Sequence, residues 1–137
     1  MPIYKYSATG HSAGEQCSST GKGRHLAFEE SLLVHPVHGD GFVDAKDPVN
    51  VGDIVGVAFN SAAAATDQIA IDTEGIWYLN VVASNASGVS AVALGDQLYI
   101  ATGVVSKIAT GVPFGHALSV LTGSATAAVA AVKVHSL

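Results

Sequence analysis

From Val49 onward, apolar residues recur in short alternating runs cut by glycine-containing turns. VNVGDIVGVAF, from 49 to 59, alternates. This spacing predicts a half-buried strand with Val49, Val51, Val55, Val57 and Phe59 on one face, broken by a tight bend or bulge at Gly52-Asp53. IAIDTEGIWYLNVVA, 69–83, predicts more strand with a kink at Glu74-Gly75. VVSKIA, 104–109, and VPFGHALSVL, 112–121, add two short strands, the second bent at Gly115. ATAAVAAVKVHSL, 125–137, has enough alanine for a helix, but Val129, Val132 and Val134 favour a final strand. SAAAATDQ, 61–68, reads as a loop and SNASG, 84–88, as a turn. Short strands separated by closely spaced turns are the signature of an all-β body.

The pattern partly repeats. VALGDQLYIA, starting at Val92, lines up with VNVGDIVGVA, starting at Val49, at an offset of 43 residues. Val, Gly, Asp and the last Ala coincide, which suggests two related β units whose Gly-Asp bends, 52–53 and 95–96, are equivalent. Strand-bend-strand segments also arrive at this spacing without duplication. At either bend, the aspartate is expected to hydrogen-bond local backbone.

The first third differs. Residues 1–25 are rich in Gly, Ser and Thr and lack sustained periodicity, as in an extended arm. LAFEESLLV, 26–34, fits a short helix or a strand equally well, and HPVHGDGFVDAKDP, 35–48, reads as turns. The expected organisation is an arm and turn region over 1–47, then a small β-barrel-like or β-sandwich-like body over 48–137.

Charge sharpens that division. Residues 1–47 hold ten of the 17 charged side chains, while 49% of the chain is apolar. A body so poor in charge suggests that much of its surface meets other protein. The net charge of −5 gives no grip on nucleic acid or anionic membrane. The single cysteine, Cys17, allows no internal disulfide. Residues 1–20 contain no apolar core segment of the kind a signal peptide has, and no stretch is apolar for long enough to span a bilayer.

Candidate chemistry does not converge. GHSAG, 10–14, spells a nucleophile elbow around Ser12, but EQCSSTGKG follows where a helix is needed. TGKGR, 20–24, resembles the end of a phosphate loop, yet Gln16 and Gly23 stand where glycine and a hydroxyl belong. His35 and His38 flank Pro36 without a further ligand close in sequence, so solvated turn histidines are expected there. His116 and His135, on apolar strands, are expected to bond to backbone. Asp53, Asp72, Glu74 and Asp96 form no evident acid–base pair. No catalytic, metal or cofactor site is therefore assigned. Trp77 and Tyr78 could serve as a sugar-stacking platform or as partner contacts, and Trp77 alone would ordinarily be core. IYKYS, 3–7, alternates, and such a segment can add as a strand to an exposed sheet edge. Ile3, Tyr4, Lys5, Tyr6, Trp77 and Tyr78 are accordingly the candidate partner-binding residues.

Four stretches, in this order, resemble a family of small phage capsid decoration proteins, also called cement or head-stabilising proteins: DPVNVGDIVGVA (47–58), TEGIWYL (73–79), ALGDQLYIA (93–101) and VPFGHAL (112–118). The resemblance covers about residues 47–134. It implies a β-barrel-like subunit, a homotrimer on the outer face of an expanded shell that clamps major capsid subunits, and no catalysis. Partners would be the major capsid protein and further copies of the chain. The location would be the virion's outer surface after synthesis in the host cytoplasm. A carbohydrate-binding or host-adhesion module displayed on the virion is the alternative.

Overall fold

The computed structural model describes Ser12 and residues 24–135. The residues form an all-β fold of eleven strands with one short 3-10 turn and no α-helix among those described. The first strand, β1 (His25–Glu29), resolves the ambiguity of the LAFEE stretch. It becomes strand because it pairs antiparallel with β4 (Gln68–Asp72) through five residues, from His25 opposite Asp72 to Glu29 opposite Gln68. The chain then tightens into a 3-10 turn at Glu30–Leu32. Thus residues 25–29 join the sheet, within the region that the sequence assigns to arm and turns.

Four strands make an antiparallel sheet in the order β1, β4, β3 (Ile54–Ala58), β2 (Pro48–Val51). Five others close a barrel: β10 (Val112–Ala117), β11 (Ala128–His135), β5 (Glu74–Val82), β9 (Val104–Ser106) and β8 (Gln97–Ala101). Only β5 and β9 run parallel among the barrel pairs. β6 (Ser84–Asn85) and β7 (Gly88–Val89) form a minimal hairpin at SNASG. Thr73 alone separates β4 from β5, and Gly75, at φ 112°, makes the kink there. A β-bulge between Pro113 and Gly115 supplies the bend in β10. The alanine-rich end is strand because β11 pairs with β5 along its whole length, from Ala128 opposite Val81 to His135 opposite Glu74. Tertiary pairing there overrides the helix propensity of alanine.

The expected single face of 49–59 does not form. Gly52-Asp53 is a two-residue hairpin turn, with Gly52 at φ 57° and Val51 opposite Ile54. Opposed residues share a face, so Val49 lies beside Gly56, while Val55 and Val57 point the other way. Val49 enters a core with Leu33, Val43, Ile69 and Ile71. Val55 and Val57 enter the barrel core with Leu98, Ile100, Phe114 and Val132. Phe59 is exposed. β3 is therefore a wall between two cores, buried on both sides. Gly56 makes this possible: a Cβ there would meet the Asp72 carbonyl oxygen at 2.7 Å.

Gly52-Asp53 and Gly95-Asp96 also occupy different turn positions. Gly52 is the first central residue of a hairpin, whereas Gly95 is the second central residue of the turn 93–96 that leads into β8. Asp96 accepts from the Ala93 amide at 2.8 Å, as an aspartate at a bend should. Asp53 has no such bond among the described residues. One Gly-Asp pair fits either place because its glycine tolerates positive φ at both.

Candidate partner-binding surfaces

Strand alternation decides which side chains β5 and β11 present. Leu79 and Val81 point into the barrel with Ala130, Val132 and Val134. Ile76 and Tyr78 point outward, as does Val129, and Tyr78 is 80% exposed. Val104 of β9 is exposed beside Tyr78 and Val129. Tyr78, Val104 and Val129 form one wall of a groove of about 460 Å³. Pro36, His38, Lys46 and Asp47 form the other. The two walls meet because the 35–36 backbone seats on the β8–β9 turn. A Cβ on Gly103 would lie 2.1 Å from the Pro36 nitrogen.

The polar wall is braced by histidine–carboxylate contacts. His38 Nε2 lies 2.6 Å from Asp47, and its Nδ1 lies 3.5 Å from Asp44. The hydrogen bond to Asp47 raises the His38 pKa, and burial opposes this only in part. His35 stacks parallel to His38 and bonds buried Glu30 at 2.8 Å. Tertiary folding thus gives His38 two carboxylate neighbours, Asp44 and Asp47, that bring three possible metal-ligand atoms within 4.8 Å. The nearest carboxylates face different ring nitrogens, however, and one ion could take only one of those. The contacts describe an imidazolium held between carboxylates better than a metal centre. His116 and His135 are both exposed, and His135 faces Glu74 at 3.8 Å rather than backbone.

A second surface lies where the β7–β8 and β10–β11 connections meet. Val92 bridges Leu121, and a Cβ on Gly123 would touch Val89. Val89, Leu94, Leu118 and Val120 are exposed around that bridge. Neither 84–95 nor 117–127 contains a charged residue. Four exposed large apolar side chains on an uncharged end are unusual for a free surface.

The sequence candidates separate in space. Trp77 and Tyr78 are neighbours on one strand and so point to opposite faces. Trp77 packs against the barrel core and, edge to face, against Phe59, which meets His25 in turn. They do not form a joint stacking platform. Ile3, Tyr4, Lys5 and Tyr6 lie outside the described residues. Asp72 does not pair with Glu74 for acid–base work. Its burial works against the charge, but Arg24, at 2.7 and 2.8 Å, holds the carboxyl below the ordinary range. The polar rim of the groove escaped sequence reasoning, because its partners are brought together only by the turn at 44–47.

Residues 29–135 match the family of phage cement proteins. The chain belongs to that family. A structural, capsid-associated role in the virion follows from the membership. None of the curated proteins and none of the solved structures matches the chain.

Proposed function

We propose that this cement protein binds the outer surface of a phage capsid as a homotrimer and stabilises it by bridging major capsid subunits, without catalysis. The observation that carries the reading is the uncharged apolar end around Val89, Leu94, Leu118 and Val120. Such a patch favours burial against protein. Tyr78 supplies a second contact, since an exposed aromatic can anchor a partner. Ile3, Tyr4, Lys5 and Tyr6 extend the contact set from the arm, and Trp77 supports it from inside the barrel mouth.

The test combines mass and decoration. Light scattering of the free protein is expected to give three chains, and mixing with expanded shells stripped of cement protein should give saturable binding. Leu94→Ser with Val120→Ser should weaken binding or trimer formation at least tenfold while leaving the circular dichroism spectrum unchanged. A folded double variant that decorates shells with unchanged affinity and stays trimeric removes the apolar end from the contact.

A further inference from the structure

We propose that the groove beside Tyr78 is a binding site for a neutral saccharide. The inference does not depend on the capsid reading. It gives Tyr78 a ligand of its own, apart from the protein contact considered above.

Three observations lead there. The first is the way β5 lays out its side of the groove. Tyr78, Asn80 and Val82 line it and alternate with the inward Leu79 and Val81. Tyr78 and Asn80 are both exposed and stand about 7 Å apart along the strand. Val129 lies opposite Asn80. A pyranose ring has an apolar C–H face bordered by hydroxyls. An exposed phenol ring can take that face, while a primary amide beside it donates to one hydroxyl and accepts from the next. Among the described residues, no side-chain hydrogen bond of Tyr78 or Asn80 competes for these roles.

The second observation is the facing wall, where a donor and an acceptor stand side by side. Lys46 and Asp47 both line the groove. Asp47 receives the His38 ring at 2.6 Å and the Asp44 amide at 2.9 Å on one oxygen, Oδ2. Its Oδ1 is neither bonded among the described residues nor buried. Lys46 has no ion pair among the described residues. An anion in the groove would be attracted by the ammonium and repelled by the carboxylate, and a cation the reverse. Hydroxyls donate and accept, so they satisfy both. The volume of about 460 Å³ lies within the usual range for small-molecule sites, about 300–1,000 Å³. The third observation is backbone strain. Lys46, third in the turn 44–47, has φ 75°, whereas the third place of the turn 93–96 is glycine, Gly95, at φ 87°. A glycine would serve the turn at 44–47 as well. Lysine there costs stability but puts an ammonium on the groove, and strain of this kind gathers at binding sites.

Isothermal titration of the full chain tests this, with cellotetraose, maltotetraose and chitotetraose as neutral probes and tetragalacturonate as the anionic one. At least one neutral tetramer should bind saturably, at least tenfold tighter than tetragalacturonate, with an affinity that added salt leaves unchanged. Tyr78→Ala and Lys46→Gly should each weaken it at least tenfold, and Asn80→Ala severalfold. Lys46→Gly should do so while melting no lower than the wild type, which separates a ligand contact from damage to the fold. Val89→Ser, on the other surface, should change nothing. Absence of binding by all three neutral tetramers overturns the proposal. So does equal or tighter binding of tetragalacturonate, or binding that survives both Tyr78→Ala and Lys46→Gly. If Tyr78→Ala lowers only the decoration of shells, the groove is a protein contact instead.

Discussion

Two turns in this protein share a hydrogen-bond pattern with little sequence in common. Asp44-Ala45-Lys46-Asp47 leads into β2, and Ala93-Leu94-Gly95-Asp96 leads into β8. In each, the fourth amide donates to the first carbonyl, at 3.1 Å in both. In each, the third residue has positive φ, 75° at Lys46 and 87° at Gly95, and its amide donates to an alanine across the sheet, Ala58 or Ala117. That alanine's amide donates back to the aspartate carbonyl, and the aspartate side chain accepts from the first amide. The common requirement is an aspartate at the fourth place and a tolerated left-handed residue at the third. The turns differ in the cation that meets the aspartate: His38 at 2.6 Å in one, Lys107 at 3.3 Å in the other. The Ala93 amide and then Lys107 hold the Asp96 carboxyl below the ordinary range. The hairpins that follow differ at their tips. Gly52 faces open space, whereas Gly103 is pressed against the 35–36 backbone. One unit carries an exposed tip, and its counterpart is the bolt between barrel and sheet.

The largest test of that contrast is alanine at each tip. Gly103→Ala should destabilise by about 3–5 kcal/mol, since it combines positive φ with a backbone clash. Gly52→Ala should cost only about 1–2 kcal/mol, from φ alone. Urea unfolding of both variants measures the gap, and equal losses would abolish the distinction.

Next comes Asp47→Ala, expected to cost about 1–3 kcal/mol through the orphaned Asp44 amide and His38. Asp96→Ala should lower the melting temperature in the same direction, while Asp53→Ala should leave it nearly unchanged. A loss at Asp53 as large as at Asp96 would restore the equivalence of the two Gly-Asp bends.

A smaller effect separates the turns by pH. The folded pKa of His38 is raised, so its contribution is full below the ordinary histidine value of about 6.5 and fades as pH rises through the elevated value. The stability difference between the wild type and His38→Gln should therefore shrink across that window. The difference between the wild type and Asp96→Ala should stay flat, because the Asp96 carboxyl is held below its ordinary range and stays ionised there. Hydrogen exchange at residues 38–47 in the same pH series would localise the change. The smallest effect is a gain. Lys46→Gly should stabilise by about 0.5–1 kcal/mol by relieving a side chain at positive φ. A loss would mean that Lys46 makes a contact worth more than that strain.

Much of this was legible in the residues. Alternation located the strands from Pro48 to His135, and Gly75 and Gly115 marked the kink and the bulge. The ordered motifs from Asp47 to Leu118 carried the family. Less was legible before Pro48. LAFEE has no period long enough to separate helix from strand, and its register partner, β4, lies some forty residues on. The candidate surfaces were legible only in part: a charge-poor body suggested contact with other protein, but no local signal joined Tyr78 to Asp47 or Val89 to Leu121.

By itself, then, the sequence determined the all-β class, the positions of the bends and the family. These depend on side-chain period and turn chemistry, which act within a few residues. Tertiary structure alone decided that Val49 and Val55 serve different cores, that β10 closes the barrel on β8, and that His38 meets Asp47. Pairing between distant strands depends on which backbones come to lie side by side. A two-residue hairpin then fixes which face each alternate residue takes, and both outcomes are invisible to a pattern read along one strand.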